Sequence, residues 1–139
     1  MMLRAKDVAD RIVKKCARDG NPVTNIKLQQ LLYLAKTLGG KLLRFADDME
    51  AYPFGPCVPA VYYAYGHWGA MPIEPHDPTE TDSLPDGAKA RLNAVLDAYA
   101  GMMPWELHRI VCTNGSPWEK AYRNGKGTVI RTKEEKGAI

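Results

Sequence analysis

Apolar residues recur at helical spacing twice within the first forty positions, and the two runs differ in kind. In the first, Ala5, Val8, Ala9, Ile12, Val13 and Cys16 repeat at intervals of three and four, while Lys6, Arg11, Lys14, Lys15 and Arg18 take the other side. This spacing predicts a one-sided surface helix. Asp7 with Arg11 and Asp10 with Lys14 are pairs four residues apart, each adding about 0.2–0.5 kcal/mol, and Gly20, Asn21 and Pro22 end the run. The second run is TNIKLQQLLYLAKTLGG at 24–40. Here Leu28, Leu31, Leu32, Ala35 and Leu38 form a stripe, with Lys27, Gln30 and Thr37 turned away from it. Ile26, Tyr33 and Leu34 lie off the stripe, so the segment is apolar over most of its circumference and has to be wrapped by other elements. Thr24 or Asn25 can cap its start, and the Gly39-Gly40 pair offers the positive φ that stops a helix.

The rest of the chain is arranged around that second run. Residues 41–45, KLLRF, either continue it past a kink or open a new turn. Pro53, Gly55, Pro56 and Pro59 are too dense for regular helix or a central strand, so the spacing predicts an ordered loop that opens with an extended piece at Glu50–Tyr52. Pro59 suits the first position of a helix over 60–68, rich in rings: Tyr62, Tyr63, Tyr65 and Trp68. Residues 70–86 hold four prolines and five acids and read as an exposed, mobile loop. A helix capped at Ser83 or Asp86 then places Leu92, Val95, Leu96 and Tyr99 on one face, and Pro104 starts a short helix through Cys112. Ser116-Pro117-Trp118-Glu119 has the form of a capping box, and Thr132 with Glu135 repeats it.

The fold expected is mainly α, a single compact domain over 1–139 with about six helices. A minor β element is allowed where Glu50–Tyr52 meets Thr128–Ile130. Its expected core is Leu28, Leu31, Leu32, Leu38, Ile12, Leu96, Trp118 and Tyr122.

Composition narrows the class. With 139 residues, 45% of them hydrophobic and 25% charged, the chain can bury one core. No apolar run is long enough to span a membrane and the start lacks a secretory apolar stretch, so a cytoplasmic protein without membrane contact is expected. Cys16, Cys57 and Cys112 are odd in number and unpaired in spacing, which suits reduced thiols. The net charge of +3 is unevenly spread: residues 1–44 carry ten bases against three acids, and 74–86 carry five acids and no base.

Candidate chemistry is sparse. His67, His76 and His108 have neither HExxH nor zinc spacing, and GHWG and NGKG lack the pattern of a phosphate loop. No metal, cofactor or catalytic residue is expected. Cys57 or Cys112 beside a histidine would need an oriented base, and Asp47, Asp48 and Glu50 read better as a charged loop edge than as acid/base machinery. Lys14, Lys15 and Arg18 give a mild bias toward phosphate, with no recognition helix to match. The rings at 62–68 exceed what one buried face of a short helix holds, which predicts partner binding by Tyr62, Tyr65 and Trp68, next to the acidic loop 74–86.

Three motifs in order carry a family resemblance: KLQQLLYLAK at 27–36, EAYPFGPCVPAVYYAYGHWG at 50–69, and ELHRIVCTNGSPWEKAY at 106–122. Through Lys27, Leu28, Leu31, Leu32 and Tyr33, then Gly55 and Pro56, then Ser116, Pro117 and Trp118, the chain resembles the Panacea family of SocA-type, phage-associated antitoxin domains. The resemblance spans roughly residues 5 to 135. It implies a helical domain without enzyme activity that neutralises a cognate protein toxin by binding it, in some members delivering the toxin to a protease. The departures are Cys57, where the family commonly has Val after GP, and Cys112, where a His is common before SPW. The competing readings are a small nucleic-acid-binding regulator and, third, a hydrolase with an unrecognised site. A net charge of only +3 and the absence of a recognition-helix pattern give no more than a mild bias toward nucleic acid, so it is not the expected partner.

Overall fold

A computed structural model describes residues 2–76 and 83–131. Six α-helices are described: α1 (Ala5–Arg18), α2 (Asn25–Leu38), α3 (Pro59–Ala64), α4 (Asp86–Tyr99), α5 (Pro104–Val111) and α6 (Pro117–Tyr122). Single 3-10 turns follow α2 (Gly40–Leu43) and α3 (Gly66–Trp68), and β1 (Glu50–Tyr52) pairs antiparallel with β2 (Gly55–Cys57).

Helix α2 is the axis. It packs on α1, α4, α5 and β2, and eleven consecutive-to-near positions from Asn25 to Lys36 are buried on it, leaving only Ile26 half-buried in that span. The wrapping therefore goes further than the stripe implied: Lys27 and Gln30, expected to face away from the core, are themselves buried. On α1 all six apolar positions of the stripe are buried, as its period predicts. Thr24 caps α2, its hydroxyl accepting the Lys27 N–H at 3.3 Å.

At the far end the two glycines divide the work. Gly39 keeps a right-handed φ of −81°, and a Cβ there would lie 2.3 Å from the Ala35 carbonyl oxygen and 2.5 Å from Leu43. Gly40 supplies the positive φ, 62°. Leu38, expected in the core, is 46% exposed. The reason is positional: the 3-10 turn folds Leu43 under the end of α2 at 0% exposure, and the last residue of the stripe is left outside.

The β element is tight. Tyr52 pairs with Gly55 across a two-residue turn at Pro53-Phe54, and Gly55 takes φ 128°. Ala51 turns its N–H to Thr128 O (2.9 Å) and its C=O to Gly127 N (2.7 Å), and Glu50 bridges Val129, so the extended piece at 128–130 meets β1 as its pattern suggested.

Four further expectations are corrected. Trp118 and Tyr122 are half-buried at the core edge, rings 4.9 Å apart, because the Trp118 indole N–H must reach a polar partner, the Tyr52 carbonyl at 3.0 Å. Helix α4 starts at Asp86 behind Pro85, with no side-chain cap from Ser83 or Asp86. The capping box of α6 is half made: Ser116 Oγ accepts the Glu119 N–H at 3.1 Å, but the Ser116 N–H goes to Thr113 O and the Glu119 carboxylate to Arg123. The described part of the loop 70–86 is exposed at most positions, as expected, but it is pinned where Ile73 is fully buried with its N–H on Val23 O (2.8 Å) and where Leu84 is buried. Residues 77–82, and the Thr132/Glu135 cap, lie outside the described residues.

Candidate functional site

The polar residues of α2 decide where the aromatic segment sits. Gln29 is fully buried: its Oε1 accepts the Val58 N–H at 2.9 Å, and its Nε2 donates to Asn25 Oδ1 at 3.2 Å. Asn25 Nδ2 in turn donates to the Tyr62 carbonyl at 2.9 Å. Val58 is the residue that precedes α3 and Tyr62 lies in its last turn, so one two-residue relay from α2 satisfies both ends of α3. A six-residue helix cannot hold its shape alone, and here its ends are fastened by buried amides whose alternative is an orphaned donor or acceptor costing about 1–3 kcal/mol.

That fastening presents a ledge of rings. Tyr52 and Phe54 stack nearly parallel with centroids 5.5 Å apart, Phe54 stacks on Tyr62 at 5.8 Å, and Tyr63 meets Tyr62 edge-on at 6.1 Å. Tyr63, at 79% exposure, is the freest ring of the segment, and Phe54 at the hairpin tip is also exposed. The Tyr52 hydroxyl donates to Glu50 at 2.6 Å, a bond that pushes its pKa up to about 12.

The three rings singled out by sequence are divided by the structure. Tyr62 belongs to the ledge. Tyr65 and Trp68 are half-buried against the core and line a cleft of about 540 Å³ on the α1 side, together with Lys6, Asp10, Lys14 and His76. One pair of charges in this cleft is spent on itself: Asp10 accepts from Lys6 (2.7 Å) and from the Tyr65 hydroxyl, and the Lys6 ammonium lies 5.0 Å from the Tyr65 ring centre. Burial and the Asp10 bond raise the Tyr65 pKa well above its ordinary value, so Tyr65 is a fixed donor at neutral pH.

The other candidates resolve into local roles. Asp47 Oδ1 accepts the Ala5 N–H at 2.8 Å, capping α1 from a distant loop, while Glu50 serves Tyr52, so the acidic group at 47–50 does not converge. Among the described residues no three His, Cys, Asp or Glu side chains gather as a metal-binding set. Cys112 Sγ lies 3.7 Å from His108 Nδ1, the thiol–imidazole contact the sequence left open. Burial pushes the Cys112 thiol up to about 12, and likewise Cys57, so both keep their protons at neutral pH and neither is an activated nucleophile. Lys15 of the basic helix is held by Asp19 (2.6 Å) and Asp97 (3.0 Å), bonds that raise its pKa. Lys27 is buried with its ammonium on the Ala100 carbonyl at 2.6 Å, closing the end of α4, and burial lowers its pKa.

Sequence reasoning missed Asn25, Gln29, Phe54 and Tyr63. The available signal was Gln29-Gln30 inside a helix that had to be wrapped, since buried amides in such a helix imply specific partners. No helix among the described residues is long and apolar enough to cross a membrane. No family model, no curated protein and no solved structure matches this chain.

Proposed function

We propose that this chain is an antitoxin-type binding module that neutralises a cognate protein toxin by direct contact, with Phe54, Tyr62 and Tyr63 as its grip and Tyr65 and Trp68 flanking it. The observation that carries the reading is the mounting of the ledge: the open ring of Tyr63 and the half-buried ring of Tyr62 stand on a short helix whose two ends are fixed by Gln29 and Asn25, with the exposed Phe54 of the hairpin turn stacked on Tyr62. Rings held in place before binding lose little freedom on contact, and exposed Tyr and Phe on a rigid base are the usual anchors of protein interfaces. The motif order at 27–36, 50–69 and 106–122 supports the same reading, because the first motif holds Gln29 of the relay and the second holds the ledge.

The test is co-expression with the product of the neighbouring gene, scoring rescue of growth and co-purification. Alanine at Phe54, Tyr62 and Tyr63 together is expected to weaken capture by about 2 kcal/mol or more, roughly thirtyfold, with the thermal melt retained. Capture unaffected by the triple change overturns the assignment of the surface. A neighbouring product that is neither toxic nor bound overturns the function.

A further inference from the structure

The relay from α2 bonds to Val58 and Tyr62, which places Tyr62 and Tyr63 but leaves the Pro53-Phe54 turn to be fixed from elsewhere. That turn is held from the side of α6. Ser116 and Pro117 set the first turn of this helix, the hydroxyl accepting the Glu119 N–H at 3.1 Å and the proline standing where no N–H is required. Trp118 follows, half-buried against the core, with Tyr122 beside it at 4.9 Å between ring centroids and Ala121 buried one turn on. Its indole N–H donates to the Tyr52 carbonyl at 3.0 Å. Tyr52 is the last residue of β1, so this bond ends on the carbonyl that joins directly to Pro53.

The chain after α6 also returns to β1, with Ala51 exchanging backbone bonds with Gly127 (2.7 Å) and Thr128 (2.9 Å) and Met49 O accepting the Ile130 N–H (2.8 Å). These bonds reach Met49 and Ala51, and the Trp118 bond carries the hold one residue further, to the foot of the turn. At its other end Tyr52 is tied by its hydroxyl to Glu50 (2.6 Å). Fixed at backbone and hydroxyl, its ring is the plate on which Phe54 lies, centroids 5.5 Å apart and planes 3° apart, and Phe54 meets Tyr62 of α3 at 5.8 Å. We infer that Trp118 is a positioning residue of the ledge: the Ser-Pro-Trp turn sets the Tyr52 carbonyl, and through it the Phe54 ring, as the relay sets Tyr62. An indole carries one N–H, in the plane of a ring that packing holds, so the bond fixes a direction as well as a distance. The consequence for capture rests on the ledge being the binding surface; the placement of Phe54 does not.

Two changes at Trp118 separate the donor from the packing. Trp118→Phe keeps a ring in place without an N–H, and benzothienylalanine incorporated at the same position keeps the full bicyclic shape without one. In both, hydrogen exchange is expected to rise about five- to tenfold across residues 50–57, as for the loss of one net hydrogen bond, and to stay unchanged across 58–64. The Phe54 ring protons are expected to move toward their unstacked chemical shifts. Capture of the neighbouring gene's product is expected to weaken about fivefold in Trp118→Phe, with no further loss when Phe54→Ala is already present. Exchange that rises equally along the whole chain, or Phe54 shifts that keep their wild-type values in the benzothienyl variant, overturns the proposal, because Trp118 then only packs. A further loss of capture on top of Phe54→Ala overturns it as well. Phe54 shifts that move while capture stays intact support the placement and overturn the ledge as the binding surface, so the two failures are told apart.

Discussion

Helices α1 and α2 are the same length, run side by side, and use their polar residues in opposite ways. On α1 the charges stay near solvent and pair within reach: Arg4 with Asp7, Lys6 with Asp10, Lys15 with Asp19. On α2 Asn25, Lys27, Gln29, Gln30 and Lys36 are buried and bond to the backbone of other elements or to one another: Tyr62, Ala100, Val58, Pro104 and Asp47. The apolar faces supply cohesion in both. Only on α2 do the polar residues fix where the neighbouring elements begin and end.

The largest expected effect is one that does not separate the two helices. Leu31→Ala and Ile12→Ala both empty fully buried positions and are expected to cost about 2–5 kcal/mol each in denaturant unfolding. A cost below about 1 kcal/mol at Leu31 would remove α2 from the centre of the core. Gln29→Ala comes next, at about 2–3 kcal/mol, because it strands the buried Val58 N–H and frees Asn25. It is also expected to raise hydrogen exchange across residues 58–64 before global unfolding; exchange unchanged there would mean that α3 does not depend on the relay.

Alkali sharpens the comparison through Tyr33, on α2, whose pKa burial raises from 10.0 to about 12. Below pH 10 the phenol is protonated in folded and unfolded chains and its contribution to stability is complete. As pH rises from 10 toward 12 the unfolded chain loses the proton first, so stability falls across that window. Tyr33→Phe is expected to flatten that part of the profile in chemical denaturation read at successive pH values. The smallest effect belongs to α1: Lys15→Ala removes contacts to two exposed carboxylates and should cost no more than about 1 kcal/mol, less in high salt.

Legibility from sequence follows the same division. The periods of α1 and α2, Pro59 and Pro117 at the first turns of α3 and α6, Pro104 at the start of α5 and the meeting of 50–52 with 128–130 were readable, because each rests on local spacing or on residues with one strong conformational preference. The burial of Lys27 and Gln30 was not. Their partners, Ala100 and Pro104, lie more than seventy residues away in the chain, and period alone assigns a polar residue to the outside. Leu38 failed for the complementary reason, since the 3-10 turn that brings Leu43 underneath is set by Gly39 and Gly40 and not by apolar spacing. At the candidate site, composition marked the ring-rich segment, but which rings stand free depends on the turn at Pro53-Phe54 and on the relay beneath α3.

Pro56 gives the hairpin one more property. Ala51 directs its backbone groups toward 127–128, away from β2, so its pairing partner Pro56 faces the opposite, outer margin of the sheet, where the alternation of an antiparallel ladder would set an N–H. Proline has none to offer, and the margin is closed: Gly55, Pro56 and Cys57 are all buried, and β2 packs on α2 and α5. An N–H at position 56 would be buried there with no strand beside it to accept it, so proline lets the hairpin lie close against α2 and α5 without an orphaned donor.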